Sequence, residues 1–280
     1  MGQTLYLECI GGISGDMTVA SLIDLGADEN GLVKGLESID AGGFKIAISR
    51  VKKSGLDCVD FDVILDDEHE NHDHDMNYLY GHEHDKNTHS HEHHHDDISK
   101  HNHHHEHNHM HRGMPEITAI INSSSFNQNT KDIALKIFDV LAHAEAKAHG
   151  VELSQVHFHE VGAIDSIVDI LSVAYCIDNL NITEVIVPYL TEGQGTVRCQ
   201  HGILPIPVPA VTNIVAEHGI KLKLTDIHGE LVTPTGAAVV AALKTSDSLP
   251  EIFSIKKIGL GAGKRDYETA GILRAMIIER

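Results

Sequence analysis

Between residues 66 and 111 the chain has almost nothing it can bury. That stretch holds 17 of the 24 histidines and 12 acidic residues against only Lys86 and Lys100, so it contributes −10 to the net −20 of the 280-residue chain. A segment this polar cannot offset the entropy lost on ordering, and the composition predicts a long disordered loop over 66–112. The foldable sequence is thereby divided into 1–65 and 113–280. With 41% hydrophobic residues overall there is material for a core, built within or across those two parts.

Outside the loop, strand and helix patterns alternate. Leu5-Tyr6-Leu7 reads as a strand entering the turn Gly11-Gly12-Ile13-Ser14-Gly15-Asp16. Asp16 is then placed to cap a helix carrying Val19, Leu22, Ile23 and Leu25 at helical spacing, closed by Gly26. A second helix is expected over 28–38. Residues 44–51 and 58–65 alternate about Lys53-Ser54-Gly55 as a hairpin. Helices follow over 129–149, 164–179, 208–218 and 233–244, with a start marked by Met114-Pro115-Glu116, and strands over 183–190, 220–225, 252–258 and 271–278. Interleaving of this kind predicts an α/β fold, a mixed sheet with flanking helices, in which 1–65 pairs back onto 113–280.

The charge balance argues against a protein that coats nucleic acid phosphates. No apolar run approaches the roughly 20 residues a membrane helix needs, and the N-terminus lacks the basic flank of a signal peptide. Cys9, Cys58, Cys176 and Cys199 form no CxxC pair and sit mostly among apolar neighbours. The expectation is a cytoplasmic protein with reduced thiols.

Several segments carry ligand chemistry. In the His-rich loop, His93, His94 and His95, then His101, His103, His104, His105, His107, His109 and His111, supply many imidazoles, mostly neutral at pH 7 and suited to Ni, Zn or Cu. Such an array fits weak, multivalent storage or delivery; a plain solvated linker is the bland alternative. In His157-Phe158-His159-Glu160, positions 157 and 159 share a side if extended, while Asp165 and Asp169 share a face of the helix that begins there. These groups form a candidate metal or acid–base centre: His157 and His159 as ligands, Glu160 and Asp165 as catalytic carboxylates. The competing reading is a helix cap with hydrogen-bonded loop residues.

Anion binding has three candidates. Gly12, Ser14, Gly15 and Asp16 lie between a strand and a helix, where backbone N–H groups can face a phosphate. Arg198 and His201 sit in the glycine-bracketed GQGTVRCQHG, ahead of Pro205, Pro207 and Pro209. Lys264 and Arg265 follow the run Gly259-Leu260-Gly261-Ala262-Gly263. That run lacks the Ser or Thr a P-loop places after its lysine. Thr233-Pro234 in GELVTPTGAA reads equally well as a helix start.

Taken in order, LYLECIGGISGDM, the His-rich insert, VHFHEVGAIDSIVDI, GQGTVRCQHGILPIPVPA, GELVTPTGAA and IGLGAGKRD resemble the LarC-type nickel insertion proteins from end to end. The resemblance implies insertion of Ni(II) into pyridinium-3,5-bisthiocarboxylic acid mononucleotide, forming a nickel–carbon bond flanked by two sulfurs. The product is the nickel-pincer cofactor of lactate racemase-type enzymes. It also implies a CTP-dependent chelatase of the lyase class, with Mg or Mn accompanying CTP. Implied partners are the pyridinium mononucleotide, the family's C-terminal CTP-binding domain beyond Arg280, on a separate or fused chain, and the racemase. That division would leave this chain weak in turnover by itself. Glu8 and Ile10-Gly11 depart from the Asp and Phe-Ser common in relatives before ISGDM, and Glu8 carries its carboxylate one bond further out. Two other functions fit the residues without the resemblance: a nickel or zinc store, and a metal-dependent hydrolase of a small phosphorylated molecule.

Overall fold

The computed structural model describes residues 2–66, Met76, Leu79, 112–158, 163–199 and 201–280. Strand β1 (Gln3–Glu8) leads into helix α1 (Gly15–Asp24) and helix α2 (Glu29–Leu36), followed by the hairpin β2 (Phe44–Lys53) and β3 (Leu56–Leu65). The hairpin turns on Ser54 and Gly55, both with positive φ, the two-residue geometry that matches strand twist. Helices α3 (Met114–Ser123), α4 (Gln128–His149) and α5 (Ile164–Asn179) come next. The order continues β4 (Ile182–Ile186), β5 (Leu190–Gln194), β6 (Thr196–Cys199), β7 (Gly202–Pro205), α6 (Pro209–His218), β8 (Leu222–His228), α7 (Pro234–Leu243), β9 (Ser254–Ala262) and β10 (Ile272–Glu279).

Six strands form one mixed sheet in the order β2-β3-β9-β10-β1-β4, while β5 pairs with β8 and β6 with β7 in separate two-stranded sheets. The large sheet takes strands from both sides of the His-rich segment. Its alternation sorts the two faces. Leu5 and Leu7 of β1, with Leu273, Ala275 and Ile277 of β10, join the main core with α1 and α5. Tyr6, Met276 and Ile278 face the other way and are covered by Leu249 and Phe253.

Local chemistry explains the ends of the helices. Asn127 accepts the Thr130 N–H at 2.9 Å to start α4, and Gly150 closes it in the left-handed conformation. Thr233 caps α7 through Gly236 N–H at 3.1 Å, with Pro234 at the first helical position.

Four expectations change. The strand expected over 183–190 is two strands in different sheets, β4 and β5, because Pro188 has no N–H to continue the ladder. The segment GQGTVRCQHG ends β5 at Gln194 and runs on into the paired strands β6 and β7, and Ser14 rather than Asp16 is the N-cap of α1. Finally, Leu79, inside the stretch read as a disordered loop, is helical and buried.

Candidate functional site

The N-terminal turns of α1, α5, α6 and α7, the last turn of α4 and the β6–β7 hairpin enclose a cleft of about 320 Å³. Leu79 adds an apolar patch to the lining. Of the residues singled out from sequence, Ser14, Gly15, Asp16, Asp165, Arg198, His201 and Arg265 all line this space.

One wall is acidic. Asp16 is buried in the first turn of α1, where it accepts a short hydrogen bond from the Ser14 hydroxyl. Asp165 and Asp169 lie one turn apart on α5 and both reach the cleft, as their spacing predicted. Asp169 accepts the backbone N–H of Asp16, so the positive end of α1 is already occupied by a carboxylate of this chain. Helix α1 approaches that carboxylate closely: a Cβ on Gly15 would stand 2.5 Å from Asp169 Oδ2. Asp169 Oδ1 is shielded from solvent and has no hydrogen-bond partner among the described residues. Burial, then the charges of Asp16 and Asp165, push the Asp169 carboxyl well above the usual carboxylate range. It is therefore a stronger proton acceptor than an exposed aspartate.

The opposing charge comes from Arg198, exposed on β6, and Arg265, whose Nη1 donates to Glu230 Oε2 at 2.6 Å. Glu230 also accepts, at its backbone oxygen, a 3.1 Å hydrogen bond from the Tyr267 hydroxyl. The strand-like stretch carrying Glu230 is braced from below by Glu192. The Glu192 Oε1 accepts the N–H groups of Gly193 and Leu231, both at 2.8 Å, and of Val232 at 3.2 Å. Burial pushes the Glu192 carboxyl up to about 7 in spite of those three donors.

Other expected residues stand elsewhere. Lys264 lines a smaller recess beside the cleft, where its ammonium pairs with Asp62. Burial alone would lower the pKa of Lys264, but Asp16, Asp62 and Asp169 together raise it, so it stays charged and offsets the acidic wall from behind. Gly12 is not a phosphate cradle: its N–H is bonded to Cys9 O, and that of Ile13 to Leu231 O. With φ near +94° and a would-be Cβ 2.2 Å from Leu231 O, Gly12 is required by close backbone packing.

The GLGAG run likewise departs from an anion loop. Gly259 and Gly261 lie within β9, where a Cβ would stand 2.1 Å from Ser21 O and Met17 O of α1. Their alternation lets α1 lie directly on the strand. Glu8 pairs with Arg274 across β1 and β10, away from the cleft.

His157 is exposed and outside the cleft lining, because Phe158 turns inward against Phe138, ring centres 6.2 Å apart. Phe158 N donates to Arg112 O at 3.0 Å, so His157 lies next to the point where the His-rich segment rejoins the described chain. His159, Glu160 and the loop histidines His93, His94, His95, His101, His103, His104, His105, His107, His109 and His111 lie outside the described residues. Among the described residues no three His, Cys, Asp or Glu side chains form a ready-made metal site. Nor, among them, is any helix long and apolar enough to cross a membrane.

Sequence patterns missed Glu145, His149 and Glu230 in the lining. Glu145 and His149 read only as the end of a long helix, although their i,i+4 spacing signalled a shared face.

This is an α/β protein whose helix starts and one hairpin enclose a cleft with acidic and cationic walls. The chain belongs to the nickel insertion protein family, whose model matches residues 5–280. Relatives named pyridinium-3,5-bisthiocarboxylic acid mononucleotide nickel insertion protein are 50% identical over 279 residues in Alkaliphilus metalliredigens and 45% identical over 278 in Clostridium acetobutylicum. A third, from Acetivibrio thermocellus, is 35% identical over 275 residues. The matches cover 100%, 99% and 98% of this chain but 61%, 64% and 60% of those proteins, so the chain spans about three-fifths of their length. No solved structure matches it.

Proposed function

We propose that this cleft holds Ni(II) and pyridinium-3,5-bisthiocarboxylic acid mononucleotide while the metal is inserted, the reaction for which the relatives are named. In the insertion, the ring C–H between the two thiocarboxylates breaks and its electron pair becomes the nickel–carbon bond. Each flanking sulfur takes one further position on the metal. The proton needs an acceptor within hydrogen-bond reach of that ring position, and Asp165 on the acidic wall is assigned this role, with Glu160 five residues ahead of it as its partner. Asp16 keeps the wall negative against the dication. Arg198 takes the nucleotide phosphate, while Arg265 is held in place by Glu230.

The histidines of 66–111, with His157 and His159, raise the local supply of Ni(II) without holding it tightly. We assign the CTP-dependent step, with Mg or Mn, to the C-terminal CTP-binding domain that the family resemblance implies, acting as a separate or fused chain. The cofactor-dependent racemase is the downstream user.

One observation carries this reading. Acidic residues from α1 and α5 meet Arg198 and Arg265 in a single cleft near the lower size limit of ligand pockets, about 300 Å³. The test is insertion measured by mass of the nickelated product. The chain is supplied with Ni(II), CTP, Mg and a relative's C-terminal portion. Asp165→Asn is expected to slow insertion by about 100-fold or more, the usual worth of a positioned base. Arg198→Ala is expected to raise KM for the nucleotide. Near-normal kinetics in both variants would remove the cleft from the reaction.

A further inference from the structure

One corner of the cleft holds softer ligands than its acidic wall. Cys199 at the end of β6 places Sγ 3.9 Å from Nδ1 of His201, and the His201 ring centre is 4.9 Å from that of His149. His149 closes α4, and its Nε2 lies 3.4 Å from the Glu145 carboxylate one turn earlier. All four side chains line the cleft.

We infer that Cys199, His201 and His149 form a transfer site that takes Ni(II) at the cleft mouth before insertion. The inference rests on the nickel-handling role proposed above and adds to it a specific thiolate–imidazole landing point.

The three donors are not a ready-made metal site as they stand, but they lie close enough for side-chain rotation to gather them on one ion. With metal–nitrogen bonds of about 2.0–2.1 Å, two imidazoles on a common metal bring their ring centres to roughly 4.5–5 Å. The sulfur and ring nitrogen, as they stand, need only a small side-chain rotation to become neighbours on that metal. The Glu145 carboxylate is positioned as the outer partner of a ligating imidazole, directing its Nδ1 toward the ion. Thiolate and imidazole are donors of the softness that late first-row divalent metals favour.

The three groups do not close a coordination sphere in advance, and delivery depends on that. A complete set would retain nickel, whereas an open one leaves positions for the sulfurs of the nucleotide. Binding is a balanced exchange: the Cys199 S–H bond breaks, a nickel–sulfur bond forms, and the proton passes to solvent. Donation reverses it, as a thiocarboxylate sulfur displaces the thiolate, which is reprotonated from solvent.

The sulfur makes the site readable against the histidine background, because residues 66–111 contain no cysteine and Cys9, Cys58 and Cys176 are buried. Ni(II) alone is titrated to saturation into the whole chain, without nucleotide, and sulfur ligation is followed by thiolate-to-nickel charge-transfer absorption and by nickel-edge X-ray absorption. Wild type is expected to show a nickel–sulfur signal that disappears in Cys199→Ser. His201→Ala and His149→Ala should weaken its midpoint by at least tenfold, and Glu145→Gln by about tenfold, the lower end of the loss on removing an outer-shell partner. Independently, nickel should slow alkylation of Cys199 in the unmodified chain, which needs no variant to fold.

No sulfur signal at saturation, or one that survives Cys199→Ser, overturns the site. Failure of the transfer site and of the insertion reading are separable. A nickel–sulfur signal without insertion keeps the site, and insertion without the signal discards it.

Discussion

Replacing Glu192 by Gln should change how stability depends on pH more than it changes stability itself. The carboxylate is 0% exposed, and one oxygen accepts three backbone N–H groups while the other has no partner among the described residues. Its carboxyl titrates near 7 in the folded chain against an ordinary 4.5, with burial the dominant cause. The folded form therefore holds its proton over an interval in which the unfolded form has lost it. The resulting stabilisation is complete below pH 4.5 and is lost as pH rises through 7, a change of about 3 kcal/mol.

Glutamine keeps the accepting oxygen and cannot ionise, but its amide hydrogens sit at the unpartnered position, which costs about 1–3 kcal/mol at every pH. Urea unfolding of both proteins at intervals from pH 4.5 to 8 checks this. The variant should be the less stable at pH 4.5 and draw level with or pass wild type by pH 8. A stability difference that stays constant to within about 1 kcal/mol across that range would refute the assignment.

Two further substitutions probe the frame of the cleft. Arg265→Met leaves Glu230, whose side chain is only 7% exposed, without its 2.6 Å partner. It should cost about 1.5–3 kcal/mol in chemical denaturation, the worth of a hydrogen bond to a charged group, part of which Glu230→Gln restores in the double variant. Gly261→Val forces a side chain into the space of Met17 O, 2.1 Å from the would-be Cβ, and α1 must lift from β9. A loss of about 3 kcal/mol is expected, with nucleotide binding falling because Ser14–Asp16 move with the helix; an unchanged melting temperature would contradict the packing described.

Periodicity was a reliable guide wherever one face of an element is buried. Helix α4 with Asn127 and Gly150, α5 with its two aspartates facing one way, and the β2–β3 hairpin about Ser54-Gly55 were all legible for that reason. Glycine was the main source of error. A glycine between strand and helix, or two glycines alternating before Lys264, look the same in sequence whether they admit a phosphate or a neighbouring backbone. Only the packing of α1 on β9, and of Gly12 on Leu231, separates the two. Likewise, the alternation about Phe158 did not say which side turns to solvent, and the packing of Phe158 against Phe138 decided that His157 does.

By itself the sequence determined the alternating strand and helix content, the sparse supply of buriable residues in 66–111, and the family, because these depend on local composition and order; that Leu79 of that stretch joins the core was not legible there. Tertiary structure alone decided which charges meet. Asp16, Asp165, Arg198 and Arg265 are separated by up to 249 positions, and they share a cleft because the N-termini of α1, α5, α6 and α7 converge beside one hairpin. Local propensity sets where each helix begins; the packing of the helices against one another and the sheet sets where those beginnings point.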